Sequence, residues 1–478
     1  MRRSREINPA LPIIFYGGVG GLVTGSCCRV GDQFIVDYGM FQGRREERSS
    51  QGDRRNFRRP ADIFNGVPDL LVTHSHIDHT GRIPMLGRAG LAPRIIATEE
   101  TAPFMKIMLC NSAQIQESGV PGNKLYGVGD VIETLRHLET VPSRSEIAIG
   151  QKDSRSSAIF VPNGHVLGAN SILVQDGHRN ILFTGDIGKP HQSLCGGYLD
   201  QPSYPNDPVH VLVVESTNAN AEPVSFEEKE ASFIRAIQHT WKNGGNPLLP
   251  VLSFHRLQEI MEMLTHNQRN GQIPSDCEII IDAPLGMTVL KAIKQLPPGQ
   301  LSNRYGDNPE YYRTEKESQD RFNLRHTTVV HSHKQSVGYD LRYADYPGKV
   351  IILAGGGMGE NGRVVNYLQG NFGRNPKNTV LFTCHQVEGT KGETLVQAEK
   401  VSRGQSKKGA KVVKIDGFTS HGSGPEIFDY LGQFDLSRLE TVFITHGNNR
   451  ARFALAQEFR RRGSEKVILP ELYQRFSL

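Results

Sequence analysis

The sequence predicts an α/β protein in which one domain of short strands is interrupted by an inserted, parallel α/β domain. Three observations lead there. Short apolar runs separated by turns dominate from residue 12 to about residue 185. An apolar run, Val209-His210-Val211-Leu212-Val213-Val214-Glu215, then opens an alternation of helical and strand patterns, the rhythm of a parallel sheet covered on both faces. After about residue 410 the short-strand style returns. The expected boundaries are therefore 1–208 for the first part of the outer domain, 209–409 for the insert and 410–478 for the return. At 478 residues the chain exceeds one ordinary domain.

In order, Ile13-Ile14-Phe15-Tyr16 reads as a strand running into the turn Gly17-Gly18-Val19-Gly20-Gly21. No helix pattern follows that turn, so its glycines are weak evidence for phosphate binding. Gln33-Phe34-Ile35-Val36-Asp37 is a strand ending in an acid, as is Asn180-Ile181-Leu182-Phe183-Thr184-Gly185-Asp186. Arg94 to Thr98 is a strand before a helix from about Glu99 to Gln116. Ser157 to Val161 and Ser171 to Val174 are strands flanking Asn163-Gly164-His165. In the insert, helices are expected over Phe226 to Asn243, Leu257 to Asn267 and Met287 to Gln295. Strands are expected over Pro247 to Phe254, Glu278 to Asp282, Val350 to Ala354 and Val380 to Thr383. Pro297 to Arg325 is polar and reads as a loop with one short helix. The return brings strands over Lys411 to Ile415 and Glu440 to Thr445, then a helix from Ala451 to Arg462.

The chemistry concentrates in Thr73-His74-Ser75-His76-Ile77-Asp78-His79, directly after the apolar run Leu70-Leu71-Val72. Strand residues alternate faces, so His74 and His76 are expected to point the same way, with Asp78 and His79 in the turn beyond. Imidazole and carboxylate are ligands that divalent zinc accepts. A solvated polar loop explains one His-x-His but not four potential ligands within six residues. Asp37, His165, Asp186 and His446 also sit at strand ends or in the loops after them. Each alone would be an ordinary capping or core residue. Together with the motif they supply the set that two zinc ions about 3.5–4 Å apart require.

Composition narrows the class. Hydrophobic content of 37% and charged content of 22% suit a globular protein. No apolar run approaches the roughly 18 residues of a membrane helix, and no apolar signal core follows the basic Met1-Arg2-Arg3 start. Six scattered cysteines without a Cys-x-x-Cys pair argue against a disulfide framework and for a reducing cytoplasm. The net charge of +5 is compatible with a polyanionic partner without requiring one. The basic stretch from Arg44-Arg45 to Arg58-Arg59 also holds Glu46, Glu47 and Asp53, as a solvated loop would. His331-Ser332-His333 matches no metal pattern and reads as a surface loop.

The His74-x-His76-x-Asp78-His79 motif, Gly164-His165 and Thr184-Gly185-Asp186 resemble the signature of the metallo-β-lactamase fold. Glu215-Ser216-Thr217, Gly355-Gly356-Gly357-Met358, Glu388-Gly389-Thr390-Lys391-Gly392, Phe418-Thr419-Ser420-His421 and Thr445-His446-Gly447 resemble its β-CASP nuclease branch. Val23-Thr24-Gly25-Ser26 and Asp37-Tyr38-Gly39-Met40-Phe41-Gln42-Gly43 fit the same branch. RNase J-like bacterial enzymes and the eukaryotic pre-mRNA 3′-end processing endonuclease belong to it. The resemblance runs from about residue 12 to 460. It implies a metallo-β-lactamase αβ/βα sandwich with an inserted β-CASP domain and an active site in the cleft between them.

The resemblance also implies one Zn2+ on His74, His76 and His165, and a second on Asp78, His79 and His446, with Asp186 bridging. Asp37 would orient ligands from behind. Glu215 and His421 would pair near the leaving oxygen, with His421 as general acid. Asp78 is counted with the catalytic group as well as with the ligands. The implied reaction is hydrolysis of single-stranded RNA, endonucleolytic or 5′ exonucleolytic, leaving a 5′ phosphate and a 3′ hydroxyl. Gly356, Gly357, Gly389 and Thr390 are expected near substrate phosphates, where glycine allows close approach. Lys391, Arg256 and Arg363 are expected as further phosphate contacts. A homodimer is implied by the family alone. His255 stands where the family carries a small residue before Arg256, Gly422-Ser423 follow His421 without the usual polar residue, and Asn448 replaces the acid after the last His-Gly.

Three other functions compete. A DNA nuclease of the same family is the nearest, and His446 favours RNA because DNA-repair members tend to carry Val there. An inactive scaffold of a processing complex would have lost ligands, whereas all seven positions are filled. A small-thioester hydrolase of the same fold would lack so long an insert.

Overall fold

The structure is a computed structural model that describes residues 11–42, 48–49, 52–119, 124–152, 156–200, 207–297, 301–302, 315–387, 389–401 and 409–478. Arg44, Arg45, Glu46 and Glu47 of the basic stretch, Glu388, and most of the expected polar loop before Glu315 lie outside the described residues. The chain forms two compact units. One comprises Met1–Gly188, Gln201–Ala221 and His421–Leu478, and the other Lys189–Asp200 and Glu222–Ser420.

Among the described residues the first unit holds a short two-stranded sheet, Arg48–Ser49 with Gly52–Asp53, and two seven-stranded sheets. One runs in the order Arg475–Ser477, Pro12–Gly17, Cys27–Val30, Phe34–Val36, Asp69–Leu71, Arg94–Thr98, Leu138–Val141. The other runs Val467–Ile468, Thr441–Ile444, Val211–Val214, Asn180–Phe183, Asn170–Gln175, Ser157–Pro162, Glu146–Ala148. Alternation decides which side chain goes where. Phe34, Val36, Leu71 and Ile96 join Phe160, Ile172, Phe183, Val213 and Phe443 in a core shared by both sheets. Ile35, Leu70, Ile95 and Ala97, on the opposite face, pack with Met105, Leu109 and Ala113 of the helix Thr101–Glu117. The four-residue spacing of those three helical positions places them on one stripe.

Val211–Val214 pairs in parallel with Asn180–Phe183 and Thr441–Ile444, inside the second sheet of the first unit. It does not open the insert: it lies within Gln201–Ala221 of the first unit, between the two stretches, Lys189–Asp200 and Glu222–Ser420, that form the second. The physical reason is that an interior sandwich strand covered on both faces is as apolar as a strand of a parallel α/β sheet. Composition at this strand is the same in either place.

The second unit is a six-stranded, wholly parallel sheet in the order Thr327–Val329, Glu278–Asp282, Val350–Gly355, Pro247–Val251, Thr379–Phe382, Lys411–Lys414. The strands read at Pro247, Glu278, Val350 and Val380 build this sheet; Thr327–Val329 adds one edge, and Lys411–Lys414, expected in the return to the outer domain, is instead the other, paired in parallel with Thr379–Phe382. The helix Phe226–Lys242 starts at a capping box: Ser225 Oγ accepts from Glu228 N at 3.1 Å, and the Glu228 carboxylate accepts from Ser225 N at 3.2 Å. Ser332 caps the helix His333–Tyr343 in the same way, so His331-Ser332-His333 is a helix start and not a loop. The helix Arg256–Arg269 is buried along nearly its whole length. It carries a charge network in which Lys229 Nζ meets Glu259 Oε1 at 2.6 Å, Arg256 bonds Glu259, and Arg321 bonds Glu262. His255, just before this helix, has φ 68°, the left-handed region that favours glycine, which gives the family's small residue at this place a backbone reason. Among the described residues no helix is long and apolar enough to cross a membrane.

Candidate metal centre

Asp37, His74, His76, Asp78, His79, His165, Asp186, Glu215, His421 and His446 all belong to the first unit. The strand Asp69–Leu71 ends before the motif, and Val72 N still bonds Ile96 O at 2.9 Å. His74 and His76 follow in extended chain, with His74 Nε2 and His76 Nδ1 3.0 Å apart. Asp78 and His79 sit in a one-turn helix, Ile77–Thr80, rather than in a simple turn. Gly39 lets that helix approach, since a Cβ there would lie 1.6 Å from Asp78 O. Asp186 follows Gly185, whose φ of 54° favours glycine and where a Cβ would lie 2.9 Å from Thr73 Cβ.

The ligand atoms form two groups around one carboxylate. His74 Nε2 and His165 Nε2 each lie 3.5 Å from Asp186 Oδ2, and His165 Nε2 lies 3.4 Å from His76 Nδ1. On the other side, His79 Nε2 lies 3.2 Å and His446 Nδ1 3.5 Å from Asp186 Oδ1. His446 Nε2 is 3.1 Å from His79 Nε2 and 3.4 Å from Asp78 Oδ2. Within His74, His76, His165 and Asp186, and within Asp78, His79 and His446, the ligand atoms lie no more than 4.8 Å apart; Asp186, His421 and His446 form a third such set.

Hydroxyls and a carboxylate behind the rings decide which nitrogen is bare. Thr73 Oγ1 donates to Asp37 Oδ2 at 2.8 Å, so it accepts from His74 Nδ1, 3.1 Å away, and the His74 lone pair falls on Nε2. His79 Nδ1 donates to Asp37 Oδ2 at 2.7 Å, which turns Nε2 toward Asp186. Thr217 Oγ1 donates to the His446 carbonyl at 2.8 Å and therefore accepts from His446 Nδ1, also at 2.8 Å, leaving Nε2 bare. Neither threonine is among the expected site residues. The only sequence signal for them is a hydroxyl inside Thr73-His74 and inside Glu215-Ser216-Thr217. Thr217→Val is expected to weaken metal binding by about 10- to 100-fold. Titration against a competing chelator checks this, and wild-type affinity in the variant would remove Thr217 from the role.

Electrostatics favour a cation here. Burial drives His74 well below its ordinary range and His76 down to about 4, so both are neutral donors at pH 7. Burial works against the charge on Asp78, but the neighbouring His446 ring and the His79 charge outweigh it and lower Asp78 to about 2. Asp186 is ionised for similar reasons, with His446 and His79 outweighing burial. Burial also opposes charge on His79, yet Asp186 and Asp37 hold it protonated well above its ordinary range. The pocket thus draws a positive charge into a buried place. Ring nitrogens crowd one another at 3.0 Å (His74 and His76) and 3.1 Å (His79 and His446) around a buried carboxylate. A cation satisfies all three features, and nitrogen and oxygen donors are those zinc takes.

Beside this set, His421 Nδ1 meets Glu215 Oε1 at 2.9 Å, and His421 Nε2 lies 3.9 Å from Asp186 Oδ2. Glu215 is itself fixed by Ile187 N at 2.9 Å and Thr217 N at 2.8 Å. Burial would discharge His421, but Glu215 and Asp186 push it up to about 9.

The expected substrate residues all lie in the second unit. The Arg256 guanidinium is buried and bonded to the Glu259 carboxylate and the Phe418 carbonyl. Arg363 Nε lies 3.6 Å from Asp282, a carboxylate also bonded by Tyr367 OH at 3.1 Å. Thr390 Oγ1 donates to Val387 O at 2.7 Å and accepts from Glu393 N at 3.3 Å, so it caps the helix Lys391–Val401. Lys391 is exposed. Gly356 has φ 117°, and a Cβ at Gly357 would meet Leu252 at 2.9 Å; Gly389 has φ 82°.

A two-sheet sandwich with helices outside and a His/Asp ligand set at its strand ends defines a metallo-hydrolase fold. Residues 31–214 match the metallo-beta-lactamase superfamily, 257–395 the Beta-Casp domain, and 407–470 the Zn-dependent metallo-hydrolase RNA specificity domain. The chain belongs to the metallo-β-lactamase superfamily, in the group that carries a Beta-Casp domain. It is similar to a ribonuclease of Thermus thermophilus, 27% identical over 94% of this chain and 96% of that protein. A transcription termination factor of Methanosarcina mazei is 27% identical over 82% of this chain, which spans 60% of that protein's length. A crystal structure of a protein of unknown function from Enterococcus faecalis shares the fold at TM-score 0.52 and 13% identity, over 98% of this chain and 100% of that one.

Proposed function

We propose that the chain is a zinc-dependent RNA phosphodiester hydrolase using two Zn2+. One observation carries this reading: the two oxygens of Asp186 face separate donor groups, His74 Nε2 with His165 Nε2 on Oδ2 and His79 Nε2 on Oδ1, with His446 Nε2 3.1 Å from that His79 nitrogen. His76 completes the first group and Asp78 the second, with Asp37 holding His79 from behind. When bound, the two cations supply Lewis-acid activation of water and neutralise charge on the phosphoryl oxygens. The remaining chemistry belongs to the protein. As the water oxygen bonds phosphorus and the P–O3′ bond breaks, His421 gives its Nε2 proton to the departing oxygen. Glu215, on Nδ1, keeps that imidazole charged, with Nε2 3.9 Å from Asp186 Oδ2. The products are a 5′ phosphate and a 3′ hydroxyl.

RNA as substrate is supported by the match to an RNA specificity domain and by relatives named ribonucleases. Six free cysteines are consistent with a reducing, cytoplasmic setting. The test compares matched 5′-labelled RNA and DNA oligonucleotides with purified protein of measured zinc content. Cleavage of RNA in preference to DNA, with zinc bound, is the expected result. Preferential cleavage of DNA would move the protein to the DNA-acting alternative, and zinc-free protein without cleavage would make it a scaffold.

A further inference from the structure

We propose that Lys189, Gln192 and Arg256 form a clamp on the main chain leading into His421, and so act as positioning residues for proton delivery to the leaving oxygen. This rests on the reading of His421 as general acid. Three side chains converge on the carbonyls of one four-residue segment, Gly417-Phe418-Thr419-Ser420. Lys189 Nζ donates to Gly417 O at 2.9 Å, Arg256 donates to Phe418 O, and Gln192 Nε2 donates to Ser420 O at 3.4 Å. All three donors are buried. Arg256 is held by Glu259, which Lys229 holds in turn. The Phe418 ring is 1% exposed, with the Arg256 guanidinium 5.3 Å and Lys229 Nζ 5.2 Å from its centroid, and the Phe233 ring at 5.6 Å. The next residue after Ser420 is His421.

A stability role accounts poorly for so much buried charge. Desolvation makes such networks about neutral against well-packed apolar residues, so their use here is a defined conformation. Glu215 fixes only the ring of His421. Beyond it, Gly422 N bonds Ile187 O at 2.9 Å, so the backbone is pinned downstream by that bond and upstream by the clamp. A general acid must reach its oxygen within hydrogen-bond distance, and a misplacement of ~1 Å costs on the order of 100-fold.

The test uses Lys189→Met and Arg256→Gln with two substrates: an RNA, and the same RNA with a 3′-bridging sulfur at the cleaved bond. The thiolate leaves without needing a proton. Cleavage of the normal RNA is expected to fall about 10- to 100-fold in both variants. Cleavage of the sulfur-bridged RNA and zinc content stay at wild-type levels, and Lys189→Arg restores the loss. Equal loss on both substrates, or no loss on either, overturns the clamp. If Arg256→Gln fails to fold, Lys189→Met decides, since it keeps the aliphatic stem and removes only the ammonium. His421→Ala runs alongside. If it loses both substrates equally, the acid reading fails and takes the clamp with it. If it spares only the sulfur-bridged RNA while the clamp variants do not, the clamp alone fails.

Discussion

Asp186→Asn is expected to abolish RNA cleavage and to lower bound zinc in the same preparation. The side chain is 2% exposed, and each of its oxygens faces a different group of ring nitrogens. Asparagine keeps the shape but replaces one oxygen by an NH2, which presents protons to His74 and His165 or to His79 and His446. It also removes the negative charge that keeps a cation in a buried place. Loss of a residue behind a ligand weakens metal binding by about 10- to 100-fold, and loss of the shared ligand should exceed that. Metal analysis after dialysis, read beside cleavage of labelled RNA, checks both effects. A variant with full zinc and full activity would show that the two groups do not depend on a shared carboxylate.

His421→Ala is expected to separate chemistry from metal binding. Zinc content stays, while cleavage of normal RNA falls by about 100- to 10,000-fold, the range a positioned proton donor contributes. The pH dependence carries the same assignment. Burial works to lower the pKa of His421, and Glu215 and Asp186 raise it to about 9. The protonated form is the acid, so activity is present below that value and falls as pH rises toward it. Removing the Glu215 charge removes the largest raising influence, so Glu215→Gln moves the alkaline limb to lower pH. An alkaline limb unmoved by Glu215→Gln, measured on kcat across pH 6 to about 10, would leave His421 without a role in proton transfer.

The candidate ligands were legible early because metal binding constrains residue identity locally: four potential donors crowd the stretch from His74 to His79. The remaining donors stood out at the ends of apolar runs, where loops begin. The insert was legible from the helix and strand rhythm, although its edge was not. Val211–Val214 is as apolar as a strand of the second unit, because both environments cover both faces. Arg256 read as a phosphate contact, and a charge in sequence carries no mark of burial; in the fold Glu259, three residues on, and Phe418, 162 residues away in sequence, bond it.

What the sequence determined by itself was the inventory: seven donors of the right chemistry and two sheet-forming patterns, one interrupting the other. Periodicity and residue type are properties of a few neighbouring positions, so they survive in one dimension. Only the tertiary structure decided orientation: which oxygen of Asp186 faces which imidazoles, which nitrogen of His446 is bare, and that Thr217 makes it so. Those contacts join residues as far apart as His79 and His446, 367 positions along the chain. A contact at that separation is set by packing of whole sheets, and nothing local in the sequence encodes it.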